Sequence, residues 1–296
     1  METRDIDRVR YSIAWIKVKS PAQLRTHTAG EPNEIVADRP SRMARRQNAV
    51  VAINGDFYVQ RKDGLIYRQG VPFRYELNEE KDALVIDENG DLHNFVGTKA
   101  EELVAFLKEG HQIINAFTFG PTLIKNGEIM PMPDTCQTRF DSTVRALRMV
   151  IAQMGPLEYV FVEAQGRNDE SIGVTTDQMA VFMKELGVKE AYCLDGGNSC
   201  VMTFNGKYYD SNYSGSEREQ SDIIYVVSAV PKDTWQSSLQ AVCLQTRRLF
   251  LHQGGMQMKK IWLVSVGRSD GLCGRICRTV FVHPRLHAAG KADGIL

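Results

Sequence analysis

Short apolar runs separated by tight turns occupy most of this chain, and that spacing restricts it to a fold built largely from hairpins. Leu84–Asp87 and Asp91–His93 flank Glu88-Asn89-Gly90. Met149–Gln153 and Tyr159–Glu163 flank Met154-Gly155-Pro156, and Val201–Phe204 and Lys207–Tyr209 flank Asn205-Gly206. Ile113–Phe119 and Thr122–Lys125 are strand-like, and Asn126-Gly127 follows them as another turn. Asn-Gly pairs tolerate the left-handed backbone that two-residue hairpin loops demand. Runs this short, apolar throughout or alternating, read as strands rather than helices. Tyr11–Lys19, stopped by Pro21, reads the same way, as do Ala49–Ile53, Ala191–Leu194 and Ile223–Ala229.

Three segments carry helix signals. Ser41 is placed to cap a short helix over Met43–Gln47. Thr98 with Glu101 forms a capping-box pattern for a helix running through Lys108 and ending at Gly110. Thr175 with Gln178 repeats the pattern, and Met179, Phe182, Met183 and Leu186 then recur at helical spacing before Gly187. That Met/Phe stripe reads as core rather than as a cofactor site. The fold class expected is α+β, with a mixed, largely antiparallel β-sheet core and a few packed helices.

The apolar fraction of 43% supports a sizeable core. Net charge is zero overall, yet residues 231–296 hold ten Lys and Arg against three Asp and no Glu. The chain is therefore expected to divide into a mildly acidic domain, 1–230, and an atypical basic tail, 231–296, which reads as a disordered or non-native appendage rather than a selected domain. Within the tail only Lys260–Val266 reads as a strand, and Arg268 to Arg285 resembles no regular element. The acidic body gives no reason to expect nucleic-acid binding. No run approaches the ~20 apolar residues of a membrane span, and the charged start METRDIDRVR does not read as a signal peptide. Cys193 and Cys200 are expected as buried thiols. Cys273, Cys277, His283 and His287 lie close together, but their spacing fits no established zinc pattern.

Three constellations could carry chemistry. Asn54-Gly55-Asp56 follows a fully apolar strand, which places polar groups at a strand end facing a pocket; a plain hairpin turn is the simpler alternative. Asp195-Gly196-Gly197-Asn198-Ser199 also ends a strand, and its glycines allow close backbone approach and N–H groups for an anion. Arg148, Arg167 and Arg218 each lie beside a strand or turn, and an arginine fork matches phosphate oxygens.

Taken together, these segments resemble the phosphodiester glycosidase family over about residues 10–230. AINGDFY (52–58), FGPTLIKNGE (119–128), Arg148 in ALRMVIAQ, Gly166-Arg167 with Ser171 and Gly173, LDGGNS (194–199) and Arg218 follow that family's order. The chain departs from the family pattern at Gln165, which stands in place of an Asp, at Asn198 and Ala152, each in place of a Gly, and at Ser221-Asp222. Glu163 shares a strand face with Gln165 and is the carboxylate available there.

The resemblance implies hydrolysis of a sugar-1-phosphodiester at the anomeric carbon–oxygen bond. One carboxylate serves the cationic anomeric centre and cations hold the phosphate. Asp195 is the first candidate for nucleophile or general base, then Asp56, then Glu163. Arg148 and Arg218, supported by Arg167, are assigned to the phosphate. The Gly196 and Gly197 amides, Asn198 and Ser199 would line the same pocket, and Asn54 with Gly55 would orient the substrate. No cofactor is expected. The partner implied is a small or polymeric glycan phosphodiester, and the family implies an extracellular or envelope location. Two other readings stay open. Asp56, Asp195 and Asn198 could hold a divalent cation for attack at phosphorus, or the domain could bind anionic glycans without turnover.

Overall fold

The computed structural model of the chain describes residues 1–32, 34–132, 144–209, 217–229, 261–264 and 277–280, the last two segments as backbone only. The chain divides into two compact units, Met1–Pro231 and Lys232–Leu296.

In chain order the first unit contains β1 (Glu2–Ile6), β2 (Val9–Lys17), β3 (Leu24–Thr28), α1 (Pro40–Arg46), β4 (Ala49–Asn54), β5 (Gly64–Arg68), β6 (Val71–Glu76), β7 (Ala83–Asp87) and β8 (Leu92–Phe95). It continues with α2 (Ala100–Lys108), β9 (Ile113–Phe117), β10 (Thr122–Lys125), β11 (Glu128–Ile129), β12 (Arg148–Gly155), β13 (Glu158–Ala164), α3 (Thr176–Glu185), β14 (Glu190–Leu194), β15 (Met202–Phe204), β16 (Lys207–Tyr208) and β17 (Asp222–Val227). In the second unit, β18 (Ile261–Val264) pairs antiparallel with β19 (Cys277–Val280).

The first unit holds three sheets. Seven strands run β1-β2-β13-β12-β14-β10-β11, five run β16-β15-β4-β17-β3, and five run β6-β5-β9-β7-β8. Every strand pairing among the described residues is antiparallel, so the architecture is α+β but the sheets are not mixed. Tight turns account for the hairpin pairs β1–β2, β5–β6, β7–β8, β10–β11, β12–β13 and β15–β16, because a tight turn joins only antiparallel neighbours.

The long sheet is covered on both faces. Met149, Ile151, Tyr159 and Phe161 point into the main core shared with the two smaller sheets. Val150, Ala152, Val160 and Val162 point to the other face, where α3 packs Met179, Phe182 and Met183. Double burial explains why β12 and β13 read as unbroken apolar runs rather than alternating ones. Helix α2 covers the third sheet through Leu103 and Phe106, and α1 covers the second through Met43 and Ala44.

The capping box of Thr175 and Gln178 forms as expected. Two other caps differ. Thr98 does not cap α2; its hydroxyl donates to the Lys81 carbonyl at 2.7 Å, and Lys99 stands at the N-cap. Ser41 lies inside α1, which starts at Pro40, and its N–H and hydroxyl both donate to the Glu217 carboxylate. A carboxylate brought from far along the chain thus replaces a local cap. The tail also holds one strand more than its sequence suggests, at Cys277–Val280 within the Arg268–Arg285 stretch. The Cys273, Cys277, His283 and His287 side chains lie outside the described residues. Among the described residues no helix is long and apolar enough to cross a membrane.

Candidate active site

Strands β4, β12, β14 and β17 bring their ends together, and the candidate residues gather there. β14 delivers Leu194 opposite Met149 of β12, which in turn faces Glu163 of β13. β17 sets Ile223 opposite Asn54 of β4. The loop after β14 folds into a 3-10 turn over Gly197–Ser199.

Asp195 is the centre of the arrangement. The Ser199 hydroxyl and the Gly196 N–H hold its carboxylate, while Oδ2 is buried with no hydrogen-bond partner. Burial pushes this carboxyl up to about 6, against the pull of Ser199, Arg218, Arg61 and the Gly196 N–H. Arg218 Nη1 lies 3.3 Å from the Ser199 hydroxyl oxygen, and its guanidinium sits 5.5 Å from the centre of the Phe57 ring. A chain of donors therefore runs from Arg218 through Ser199 to Asp195. Arg61 also acts on the Asp195 carboxyl, while donating to the Thr118 carbonyl at 2.9 Å and lying 4.5 Å over Phe119.

Glu163 and Arg148 join this cluster from behind. The buried Cys200 thiol is pushed well above its ordinary range by burial first, then by the charges of Glu163 and Asp195, with Arg148 opposing. All three charges therefore act on one sulfur. Glu163 is fully buried and Arg148 is 6% exposed, its Nη2 donating to the Val144 carbonyl at 3.0 Å. Cys193 and Cys200 are buried free thiols. Arg167 is exposed and in left-handed backbone on the turn after β13.

Several candidates have other employment. The Asn54 amide donates to the Asp195 carbonyl at 2.9 Å and accepts from the Val201 N–H at 3.1 Å. Fully buried, it pins the Asp195 loop to β4. The loop amides are not an open anion nest, since Gly197 N–H donates to the Leu147 carbonyl and Ser199 N–H to the Gly196 carbonyl. Asn198 is half-buried, with its Oδ1 enclosed and unpartnered.

Asp56 is fully buried and accepts from Arg68 Nη2 at 2.7 Å and from the Thr118 N–H at 2.9 Å. Arg68 Nη2 lies 2.8 Å from Asp222 Oδ2 as well, so one guanidinium bridges two buried carboxylates. Both oxygens of Asp56 are thus already engaged, by Arg68 and by the Thr118 N–H. Burial pushes the Asp222 carboxyl up to about 6 against the pull of Arg68, with like-charged Asp56 adding to the rise. Gly55 accommodates this cluster. A Cβ at position 55 would overlap the Asp222 carboxylate, while the Gly55 carbonyl accepts from the Asp195 N–H at 3.3 Å. Gly55→Ala is therefore expected to cost about 1–3 kcal/mol, the usual penalty of overpacking. Urea denaturation measures it; an unchanged midpoint would show that the cluster yields freely.

Arg61 and Arg68 escaped the sequence reading, which marked Asp222 only as a departure from the family pattern. Arg61 carried a signal, since it lies five residues beyond Asp56 in the same turn region. Arg68 carried none, because a buried arginine inside GLIYRQG looks like any strand residue.

Residues 47–227 match the phosphodiester glycosidase family. A curated relative, the uncharacterized SPbeta prophage-derived protein YomE of Bacillus subtilis (strain 168), is 30% identical over an alignment of 195 residues that covers 62% of this chain and 29% of that protein. The chain therefore spans less than a third of that relative's length. Among solved structures, the chain is similar to the catalytic domain of zebrafish N-acetylglucosamine-1-phosphodiester alpha-N-acetylglucosaminidase, auto-inhibited by its pro-peptide. The TM-score is 0.59 at 17% identity, covering 77% of this chain and 88% of that one. It is also similar to a hypothetical protein from Synechocystis, with TM-score 0.55 at 15% identity over 76% of this chain and 61% of that one. At such identities the solved structures share the fold alone. The family match, however, spans most of the first unit, from just before β4 to the end of β17, and contains Asp195, Ser199, Arg61 and Arg218. This chain belongs to the phosphodiester glycosidase family.

Proposed function

We propose that this chain hydrolyses a glycosyl phosphodiester at the anomeric carbon–oxygen bond, with Asp195 as its working carboxylate. The observation that carries the reading is the Asp195 carboxyl, enclosed, with Oδ2 unpartnered and two guanidinium groups in its field. A carboxylate so placed stabilises a cationic anomeric centre or activates water beside it. Arg218 and Arg61 neutralise the phosphate that departs. That leaving group needs little help from a general acid, so one carboxylate suffices. Ser199 relays between the two functions by accepting from Arg218 and donating to Asp195. Arg148 and Glu163 shape the field behind the loop. The reaction as proposed uses no cofactor, and the substrate class is a sugar-1-phosphodiester, N-acetylglucosamine being the first sugar to try on the strength of the zebrafish relative.

The test is incubation of the full chain with a GlcNAc-1-phosphate methyl diester in heavy-oxygen water. Heavy oxygen is expected in the free sugar, and the rate is expected to rise with pH through about 6 as Asp195 ionises. Label in the phosphate would place attack at phosphorus and remove the reading. Calorimetric binding without product would leave a glycan-binding module. Arg218→Ala is expected to lower kcat/KM about tenfold to a hundredfold, the worth of one charge-assisted contact. An unchanged kcat/KM would exclude Arg218 from the phosphate.

A further inference from the structure

A second cluster of chemically capable side chains lies at the far end of the long sheet from Asp195. Among the described residues, Asp87, His93 and His111 form a group whose ligand atoms all lie within 4.8 Å of one another. Asp87 ends β7, His93 lies in β8, and His111 precedes β9. The turn between β7 and β8 is tied to the distal part of the long sheet. The Tyr159 hydroxyl donates to the Gly90 carbonyl at 2.7 Å, and Gln153 Nε2 donates to Asp91 Oδ1 at 2.7 Å. Gln153 is five residues along β12 from Arg148, about 17 Å of strand. The cluster is thus separate from the proposed catalytic site and does not depend on that reading.

The geometry is that of a ligand set. Asp87 Oδ1 is fully engaged, accepting the Asn89 and Asp91 N–H groups at 2.9 Å each. That leaves Oδ2 directed at the histidines, 3.1 Å from His93 Nε2 and 3.2 Å from His111 Nδ1. His111 Nδ1 is buried and makes no hydrogen bond despite this proximity, so hydrogen bonding does not explain its orientation. Ligand atoms about 2.0–2.1 Å from a tetrahedral ion stand about 3.3 Å apart, which matches both separations. Both rings are held in place by Phe106: His111 stacks on it at 4.5 Å and 7°, and His93 meets it at 4.9 Å and 64°. The two backbone donors on Asp87 are the outer support that metal-bound carboxylates require.

We propose that Asp87, His93 and His111 bind a divalent ion of the zinc class, clipping the β7–β8 hairpin to the segment that enters β9. Two imidazoles and one carboxylate suit zinc and its neighbours, whereas calcium and magnesium take oxygen ligands. Both histidines are 31% exposed at the side chain, which leaves a fourth position open to water.

The experiment uses the full chain, stripped with chelator, dialysed and titrated with zinc chloride alone by calorimetry. Cysteines and histidines of the tail can also bind zinc, so the comparison is with the His93→Ala/His111→Ala double variant. The wild type is expected to bind one zinc more than the double variant, and each single variant is expected to bind that zinc more than about 100-fold more weakly. Zinc should also raise the Tm of the wild type and not that of the double variant. Identical isotherms, or no binding by the wild type, would overturn the proposal. Should the double variant fail to fold, NMR of the wild-type histidine rings decides. One equivalent of zinc is expected to shift the His93 and His111 resonances, and unmoved resonances would overturn the site.

Discussion

Asp195→Asn is expected to lower turnover about a thousandfold or more and, at the same time, to make the protein more stable near neutral pH. The folded Asp195 carboxyl titrates at about 6, whereas in the unfolded chain it titrates near its ordinary value of about 3.9. Between those values the folded protein holds a proton that the unfolded chain has released, so stability falls as pH rises. Below the window both forms are protonated and no penalty exists. Above it both are ionised, and the cost of enclosing the charge, on the order of 3 kcal/mol, is fully present. Asparagine has nearly the same shape and no charge. It recovers that cost, less the lost attraction to Arg218 and Arg61. Urea denaturation at about pH 8 should show the variant about 1–3 kcal/mol more stable, with the two proteins converging near pH 4. A variant that is inactive but no more stable would mean that the surroundings already compensate the carboxylate, and the case for Asp195 as a group held for function at a cost in stability would fail.

Local features of this fold were legible in the sequence because the sequence encodes them locally. The Asn126-Gly127 and Asn205-Gly206 turns adopt left-handed backbone at both residues, as their chemistry prescribes. The reciprocal bonds of Thr175 and Gln178 span only three residues. Strand β1 escaped notice because its edge position leaves both faces largely wet, which removes the periodicity that marks a half-buried strand. The β5–β6 hairpin escaped because Gln69 supplies the left-handed residue where Asn is the usual signal. The candidate site divides along the same line. Asp195 and Ser199 were legible, since a glycine-rich loop after a buried strand is a local pattern. The fate of Asp56 and Asn54 was not, because Thr118, Asp195 and Val201 lie far along the chain, and Arg68, twelve residues beyond Asp56, shows no local sign of the pairing. Asn54-Gly55 reads locally as a hairpin or a pocket lip. In three dimensions it is the joint where β4, the Asp195 loop and Asp222 meet.

Arg68→Met is expected to destabilise the protein by about 3–5 kcal/mol near pH 8, the cost of removing one partner from a buried ion cluster. Arg68 is 3% exposed; its Nε donates to Asp222 Oδ2 at 2.9 Å, its Nη2 reaches Asp56, and its Nη1 donates to the carbonyls of Tyr67 and Ala116. Methionine keeps much of the stem but removes the guanidinium that lies over the Phe117 and Tyr58 rings, and it leaves two carboxylates facing each other without a cation. Such a pair cannot ionise fully, so the cluster takes up a proton in the folded state. The deficit should therefore shrink as pH falls from about 8 to about 5, whereas a pure cavity effect would be the same at both. Adding Asp222→Asn to Arg68→Met should restore part of the loss at the higher pH, because it removes one of the stranded charges. The damage should also reach turnover if Asp195 works as proposed: Asp222 packs against Gly55, whose carbonyl holds the Asp195 N–H, so loosening the cluster frees the Asp195 loop. A deficit independent of pH, with turnover unchanged, would show that Arg68 acts through packing alone and that the cluster does not position Asp195.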